Sequence, residues 1–287
     1  MPASARVLSP PNASAAPDAA LAAGSGRLCF ASVAGRTVVT RAAAAAPLKI
    51  LNPRNAGTSA WVYLATYGGG LVGGDQVRVQ VEIGPRAAAL VSTQASTKVY
   101  RSPHRAGQTL DARVAEDGLL AMLPDPVTCF AGSDYTQEQR IRLERGASLL
   151  LVDRLTAGRV DSGERWMFNR YSSRTMIWQC DRLVLHDALS LGSAGEVARR
   201  MGRVNCLASI ALLGPALEAT AARLIGESGA VPLARDPDFL LSAAPIGDAG
   251  VLLRIASRSV EDVAIWLRQR LSIVPALLGD DPWSRKW

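Results

Sequence analysis

Hydrophobic and polar positions alternate with a period of two over much of the chain after residue 28. Residues 61–65 are rich in side chains that favour strands, and Gln76–Ile83 alternates strictly between polar residues and valine or isoleucine. This alternation is typical of a strand with one apolar face and one face in water. Both segments are therefore predicted to be strands.

One unit then occurs three times at a spacing of about thirty residues: an alternating strand, a turn with glycine, and a mostly apolar strand. The copies occupy residues 79–91, 110–123 and 140–152, with Gly84, Gly118 and Gly146 in the turns. A period of this length is typical of repeated supersecondary units. We expect stacked hairpins in which the polar strand faces water and the apolar strand is buried.

The three copies share a pattern more than residue identity, which favours an irregular layered structure over a true solenoid. We therefore predict a mainly β fold, a layered β-roll or sandwich of stacked hairpins, with a few helices in the C-terminal third. These helices are expected within residues 193–271, where a helical period replaces the alternation.

Two helices are predicted in this last third. The first covers residues 215–225 and ends just before Gly226. Its apolar face comprises Leu217, Ala221, Leu224 and Ile225. Ser259 is predicted to cap the second helix, because the first turn carries Glu261 and Asp262 and the apolar positions that follow recur with the helical period.

Two regions are expected along the chain. Residues 1–25 are rich in Ala, Ser and Pro and are predicted to be a disordered tail, whereas residues 26–287 are predicted to form a single β-rich domain. The tail lacks the apolar core of a secretory signal, which favours a cytoplasmic location, with an organelle transit peptide as the alternative. No stretch reaches the roughly 18 apolar residues of a membrane span, so no membrane association is expected.

The net charge of +7 raises the question of a nucleic-acid ligand or an acidic protein partner. The basic residues are mostly arginines scattered through the alternating segments, and no nucleic-acid-binding motif is recognisable. Because arginine is favoured at protein interfaces, an acidic protein partner fits better. No nucleic-acid partner is predicted.

Cysteine and histidine are too few and too dispersed for a tight metal site. The cysteines form no C-x-x-C pair and are predicted to be core thiols in a reducing compartment: Cys29, Cys129, Cys180 and Cys206. The two histidines, His104 and His186, are isolated in the sequence. Stable nickel or zinc sites usually gather several nitrogen or sulfur ligands, so no tightly bound cofactor is expected.

A glycine-rich motif, Gly-Gly-Gly-Leu-Val-Gly-Gly-Asp, covers residues 68–75. Gly68, Gly70 and Gly73 satisfy the G-x-G-x-x-G spacing, but a dinucleotide-binding loop must open a helix, and this motif precedes an alternating strand. As a P-loop, it would have Asp75 in place of the phosphate-binding lysine. A tight turn between strands is predicted. The alternative is a hydrolase or nucleotide-binding enzyme that uses this loop.

Five carboxylates fall at predicted strand ends or turns: Asp75, Asp125, Asp153, Asp161 and Glu164. Acidic residues in turns usually hydrogen-bond to the local backbone. Carboxylates with few nitrogen neighbours would also suit transient rather than tight binding of a borderline cation such as nickel. No G-x-S-x-G elbow or paired nucleophile and base is visible, so no catalytic residue is predicted.

Four motifs taken together, at residues 67–75, 93–101, 123–130 and 158–166, resemble in order and spacing the UreD (UreH) family of urease accessory proteins. The matching residues are Gly68, Gly69, Gly70, Gly73, Gly74, Asp75, Thr97, Lys98, Tyr100, Arg101, Pro124, Asp125, Pro126, Gly158, Arg159, Gly163 and Glu164. Weaker resemblance extends from residue 26 to the terminal residues 285–287. The Thr66-Tyr67 pair and the stretch at Cys129-Phe130 look nearer the plant and fungal branch of the family.

The resemblance implies a β-rich, non-enzymatic chaperone that binds apo-urease. With a UreF-type accessory protein, and with a UreG-type GTPase that joins through the complex, such a protein assists nickel insertion into the urease active site. The family resemblance also implies an internal path for nickel, bound only transiently, and the matching acids here are Asp75, Asp125 and Glu164. The free helix faces within residues 193–271 are expected to contact the second accessory protein.

Overall fold

Strands dominate the part of the chain that the computed structural model describes, which is residues 21–192, 194–229 and 237–284. Within it, the strands in chain order are β1 (Ser25–Val33), β2 (Arg36–Ala44), β3 (Leu48–Leu51), β4 (Ala60–Thr66), β5 (Gln76–Ile83), β6 (Ala88–Thr93), β7 (Thr97–Val99), β8 (Ala106–Val114), β9 (Leu119–Met122), β10 (Val127–Cys129), β11 (Asp134–Leu143), β12 (Ser148–Thr156), β13 (Arg170–Gln179), β14 (Arg182–Gly192), β15 (Cys206–Leu213), β16 (Phe239–Ile246) and β17 (Gly250–Ser257). The helices are α1 (Ala194–Met201), α2 (Glu218–Gly229), α3 (Val260–Arg270) and α4 (Val274–Leu278). None of these described helices is long and apolar enough to cross a membrane.

Most of the predicted tail, residues 1–25, lies outside the described residues, and so does the terminal motif at residues 285–287.

Two mixed sheets hold the strands. A seven-stranded sheet has the order β14-β13-β11-β8-β5-β1-β2. A ten-stranded sheet has the main order β16-β17-β15-β12-β9-β6-β4-β3, with β7 and β10 attached beside β12. The central strands run parallel, whereas the flanking pairs run antiparallel. The predicted mainly β class, with a few helices late in the chain, is confirmed.

The three repeated units build the centre of the molecule, but their strands pair differently from the prediction. Strands β5, β8 and β11 pair in parallel within the seven-stranded sheet, and β6, β9 and β12 do so within the ten-stranded sheet. Each unit therefore crosses from one sheet to the other, as in a solenoid, and its two strands are not a hairpin. The physical reason is the four-residue turn, which carries the chain to the facing sheet, so the apolar sides of its two strands meet across the core instead of pairing edge to edge.

The main core lies between the two sheets. In β5 every second side chain from Val77 to Ile83 is at most 3% exposed, and the alternate residues face water. Strand β12 is covered on both sides, because Leu149 joins the core between the sheets and Leu150 joins a second core beneath the helices. A strand buried on both faces explains the mostly apolar second strand of each unit.

Helix α2 covers the outer face of the ten-stranded sheet and departs from its predicted bounds. It begins at Glu218 and continues through Gly226 to Gly229, so the predicted end before Gly226 is wrong. Glycine inside a helix costs only about 1 kcal/mol relative to alanine, which the packing of the helix on the sheet outweighs. The buried residues of the predicted face are Leu217, Ala221 and Leu224, whereas Ile225 is 37% exposed.

Helix α3 begins where predicted. The Ser259 side chain accepts hydrogen bonds from the backbone N–H groups of Glu261 and Asp262. Both acidic residues lie in the first turn, where the helix dipole favours negative charge. Val263 and Leu267 are buried against the sheet. The short helix α4 begins after residue 271 and so lies beyond the predicted helical region.

Two of the four cysteines are core thiols as predicted. Cys129 and Cys206 are buried, and burial raises the pKa of Cys129 to about 12 and that of Cys206 to about 11. Cys29 is half-buried. Cys180 is exposed in the tight turn between β13 and β14, so the predicted core location is wrong for this residue.

We expect Ser259→Ala to lower the free energy of unfolding by about 1 kcal/mol, because two N–H groups at the start of α3 lose their side-chain acceptor. Urea denaturation followed by circular dichroism measures the change. Ser190→Ala, at an exposed position of β14, is the matched control and should stay within about 0.5 kcal/mol of the parent. Equal unfolding free energies for the two variants would contradict the capping role.

Candidate functional site

Four long connections lead from the ten-stranded sheet to the seven-stranded sheet at one end of the molecule. They are residues 67–75, 94–105, 123–133 and 157–169, and we call them together the connection face. All four sequence motifs fall in or beside them. Because each connection follows the equivalent strand of successive units, parallel pairing of those strands stacks the connections on one another.

Backbone hydrogen bonds tie neighbouring connections together. The Leu71 N–H donates to the Lys98 carbonyl at 2.8 Å, and the Tyr100 N–H donates to the Leu71 carbonyl at 2.9 Å. The Phe130 N–H donates to the Val99 carbonyl at 3.0 Å. The buried residues at the centre of the stack are Leu71, Val99, Cys129 and Ala157. Segments far apart in the sequence therefore form one continuous surface.

The glycine motif forms the first connection and is a tight turn, as predicted. A Cβ on Gly70 would lie 2.6 Å from the Lys98 carbonyl oxygen, and one on Gly73 would overlap the Ser102 side chain. The motif glycines with positive φ angles are Gly68, Gly69 and Gly74. The turn opens strand β5, so it offers no helix N-terminus to a dinucleotide pyrophosphate.

Asp75 closes this turn with its own side chain. Its Oδ2 accepts a hydrogen bond from the Val72 N–H at 2.9 Å, and its N–H donates to the Val72 carbonyl at 3.0 Å. The Asp75 carbonyl accepts from the Gly107 N–H at 2.8 Å, which links the turn to β8. The carboxylate therefore organises the first connection.

Glu164 lies in the fourth connection and is held from two sides. Its Oε2 accepts from the Arg159 Nε–H at 3.0 Å and from the Ala131 N–H at 3.2 Å. The hydrogen bond from Arg159 lowers the pKa of the Glu164 carboxyl, and the Ala131 N–H adds to this effect. The Arg159 guanidinium lies 4.5 Å from the centre of the Phe130 ring, which contacts Tyr100 edge-on at 5.2 Å. Glu164 thus joins the third and fourth connections.

Asp125 lies between Pro124 and Pro126 in the third connection. Its N–H donates to Thr93 Oγ1 at 2.8 Å, and its Oδ1 lies 3.8 Å from Arg154 Nη2. Arg154 also donates to the Pro124 carbonyl at 2.7 Å. The Asp125 and Arg154 side chains are only 17% and 10% exposed, and burial lowers the pKa of Arg154 from its ordinary value. The pair is therefore sheltered from solvent screening.

A row of polar side chains lies inside the molecule behind the connection face. The Tyr135 hydroxyl hydrogen-bonds to Gln108 Oε1 at 3.0 Å and Gln137 Oε1 at 3.2 Å. Gln137 Nε2 donates to Asp153 Oδ2 at 2.7 Å, and Ser173 Oγ donates to the same oxygen at 3.4 Å. Burial raises the pKa of the Asp153 carboxyl, although these hydrogen bonds favour its charged form.

Three cavities follow one another between the sheets. A cavity of about 40 Å³ beside the polar row shares Thr93 and Gln108 with a cavity of about 80 Å³ below the glycine turn. The 40 Å³ cavity, which we call the middle cavity, also shares Asp153 with a wide cavity of about 660 Å³ between strands β14 and β16. Arg254 Nη2 and Asp187 Oδ1 line the wide cavity from opposite sheets, 2.6 Å apart. A row of polar side chains therefore accompanies the three cavities from the connection face to the far edge of the sheets, although most of the cavity wall is apolar.

The three acids expected along the nickel path lie in separate connections. Asp75 is in the first, Asp125 in the third and Glu164 in the fourth. Among the described residues, no group of three or more His, Cys, Asp or Glu side chains stands close enough together to hold a metal ion. The acids are therefore distributed along the connection face and do not form one coordination shell.

Asp153 is among the five predicted turn carboxylates but not among the three acids expected on the nickel path. Its predicted location at a strand end or turn is wrong, because Asp153 lies within β12 and faces the interior. The available signal is the charged pair Asp153-Arg154, which interrupts the apolar run of this strand. Because a charge in a strand buried on both faces is costly, such a pair marks a candidate functional position.

The outer surface of the connection face is exposed and mixed in character. Tyr67 is 61% exposed, Val72 54% and Met167 46%, and the basic residues Lys98 and Arg101 lie among them. Exposed apolar residues with an arginine beside them are typical of a protein-binding surface. The fold and this surface define a β-rich binding protein with a row of polar side chains in its interior.

Comparison with known proteins gives the family. A family model described as UreD urease accessory protein matches residues 22–287. Urease accessory protein UreD of Sorangium cellulosum (strain So ce56) is 49% identical over 266 residues, which cover 92% of this chain and 85% of that protein. UreD of Anaeromyxobacter sp. (strain Fw109-5) is 46% identical over 272 residues, 94% of this chain and 91% of that protein. The chain belongs to the UreD urease accessory protein family.

The expected position near the plant and fungal branch is not supported. Urease accessory protein D of Oryza sativa subsp. indica is 36% identical over 296 residues, covering 92% of this chain and 97% of that protein. Both bacterial relatives are more similar than this plant protein. Cys129 and Phe130 are packed within the stacked connections, so this local packing can be shared across branches.

We expect Gly70→Ala to lower the free energy of unfolding by about 1–3 kcal/mol, because the new Cβ would push the first two connections apart. Gly226→Ala is the matched control, since a Cβ there meets open space inside a helix and should stabilise by about 0.5–1 kcal/mol. Urea denaturation measures both changes. A gain in stability for Gly70→Ala would contradict the close stacking of the connections.

Proposed function

We propose that this chain acts in urease maturation as a non-enzymatic chaperone that binds apo-urease and assists nickel insertion, together with UreF- and UreG-type partners. Besides family membership, one observation carries the proposal. Motif residues that are distant in sequence form a single exposed surface, and small cavities with a row of polar side chains begin directly behind it. Docking of a partner and passage of an ion require these two features.

The connection face is the proposed contact surface for apo-urease. Its exposed apolar residues, Tyr67, Val72 and Met167, would be covered by the partner. Lys98 and Arg101 would pair with acidic residues of the partner, in keeping with the net charge of +7. We propose that residues 26–287 act as one domain in this role, since both sheets contribute to a shared core.

The proposed route for nickel is the polar interior. Asp125 lines the middle cavity and Asp153 lines both the middle and the wide cavity, so two carboxylates follow one another along the route. Amide and hydroxyl oxygens of Gln137 and Ser173 lie beside them. Oxygen groups bind a borderline cation such as nickel weakly compared with nitrogen and sulfur ligands, which suits transient passage. Asp75 and Glu164 would attract the ion at the connection face.

We expect Asp153→Asn to lower the rate of urease activation about tenfold, the scale typical for removal of a group that supports a bound metal. The assay reconstitutes activation from purified apo-urease, accessory proteins and nickel, and measures both activity and bound nickel. Asp111→Asn, on the outer face of the seven-stranded sheet, is the matched control and should activate normally.

Asp75→Asn, Asp125→Asn and Glu164→Gln should each reduce nickel loading while complex assembly, checked by gel filtration, persists.

The stability of Asp153→Asn separates a transfer role from a folding role. Because burial raises the pKa of Asp153, its contribution to stability is present at acid pH and is lost as pH rises towards the raised pKa. Asparagine has no such loss, and its one carbonyl oxygen can accept the hydrogen bonds that Gln137 and Ser173 donate to Asp153 Oδ2, so the variant should be at least as stable as the parent at neutral pH. A less stable variant, or full activation by it, would argue against the proposed route.

The exposed side of α3 is the proposed contact for the second accessory protein. Deleting the residues after Ser259 would not test this, because it would remove Leu267, Leu271 and Leu278 from the second core. Ile265 is a better target, since it is 53% exposed on this helix.

We expect Ile265→Arg to weaken capture of a UreF-type protein by at least about 1 kcal/mol, roughly fivefold in Kd, with urease binding retained. Surface plasmon resonance with each purified partner measures both affinities. Leu183→Arg is the control, because it replaces an exposed apolar residue at the start of β14, which is distant in sequence from α3. Unchanged affinity for the UreF-type protein would remove α3 from the interface.

A further inference from the structure

A separate cavity lies on the outer side of the ten-stranded sheet. Its volume is about 320 Å³, and it is enclosed by that sheet, helix α3 and residues 282–283. Ligand pockets in proteins typically measure about 300–1,000 Å³, so this one suits a small molecule or a single side chain. We call it the outer pocket. Much of its wall is apolar, with Leu90, Leu123 and Trp283 among the lining residues and Ile265 more than half exposed.

Two N–H groups of residues that line the outer pocket are buried and have no hydrogen-bond partner in the described part of the chain. They are Arg154 Nε and Trp283 Nε1. The Arg154 side chain is only 10% exposed. The main chain of Trp283 is fixed independently, because its N–H donates to Asp281 Oδ1 at 2.9 Å and its carbonyl accepts from Arg268 Nη2 at 2.9 Å. Buried donors without acceptors are rare, so two beside one cavity indicate a missing acceptor.

The charges around the outer pocket define the kind of acceptor. Arg154 and Arg268 carry positive charge and Asp125 carries negative charge, which leaves an excess of one positive charge among the lining residues. A carboxylate matches this excess, and its two oxygens can accept from two N–H donors at once. The apolar wall requires that the carboxylate be attached to an apolar body.

We propose that the outer pocket binds a carboxylate carried on a short apolar body. The carboxylate oxygens accept hydrogen bonds from Arg154 Nε and Trp283 Nε1, and the apolar body packs against Leu90 and Leu123. The same chemistry is available from a free organic acid and from an acidic side chain of a docked protein. The proposal stands on the geometry of this pocket and does not depend on the nickel route.

Benzoate is the probe, and its neutral analogue benzamide is the comparison. Isothermal titration calorimetry on the purified full-length chain should show saturable one-to-one binding of benzoate and at least about tenfold weaker binding of benzamide. Arg154→Met should weaken benzoate binding about tenfold or more. Because this variant also leaves Asp125 without its cation, it can lose stability, and a second variant is needed.

Ala264→Phe is the second variant, since it keeps Arg154 and fills the pocket from α3. It should abolish benzoate binding. Gln269→Phe, at an exposed position of the same helix, is the matched control and should bind benzoate like the parent chain. Equal binding of benzoate by both phenylalanine variants would overturn the assignment of the site to this pocket.

Three further outcomes would overturn the proposal. Failure of benzoate to bind the folded chain would leave the cavity to water, and equal binding of benzamide would show that the pocket does not recognise a carboxylate. Binding that appears only after removal of residues 285–287 would assign the pocket to the chain's own C-terminus.

Once benzoate binds, competition between benzoate and purified partner proteins identifies the source of the carboxylate. A partner side chain is indicated if benzoate displaces a purified UreF-type protein or urease, and a free acid is indicated if both stay bound.

Discussion

Parallel pairing between repeated units is the constraint on which the rest of the structure depends. Each unit passes from the seven-stranded sheet to the ten-stranded sheet through a turn of four residues, at 84–87, 115–118 and 144–147. The third residue of each turn has a positive φ angle, at Arg86, Asp117 and Gly146, so the turns are conformational copies despite their different sequences. With the short turns at one end, the long connections all fall at the other end. The binding surface is therefore a consequence of how the core is paired.

The same constraint divides the interior into two ends. Near the turns, inward-facing residues such as Ile141 and Ile177 are apolar and fully buried. Near the connections, the equivalent positions on the same strands are Gln137 and Ser173, which hydrogen-bond to Asp153 across the core. An unpaired polar residue inside a sheet sandwich would be costly, so each polar side chain here requires a neighbour in register. Parallel stacking supplies those neighbours from successive units.

Local features of the fold could be predicted from the sequence, whereas the choice of pairing partner could not. The alternation in β5 and the cap at Ser259 are encoded by neighbouring residues, and both are confirmed. Pairing within a unit and pairing between units bury the same apolar residues, so the hydrophobic pattern does not distinguish them. The difference lies in the geometry of a short turn. The interior position of Asp153 could not be predicted for the same reason, because its partners lie on β11 and β13 and only pairing brings them together.

Asp125 links the outer pocket to the interior, because it lines both cavities while its carboxylate faces Arg154. The positive charge of Arg154 repels an entering cation. The same guanidinium also pairs with the Asp125 carboxylate, which would otherwise attract the cation. Two unit charges about 4 Å apart interact by about 4 kcal/mol at an effective dielectric constant typical of protein surfaces. A carboxylate bound in the outer pocket would compete with Asp125 for Arg154 on this scale. A ligand that accepts from Arg154 Nε on the outside of the sheet therefore weakens the attraction between the same guanidinium and Asp125, so the outer pocket and the nickel route are coupled through one arginine.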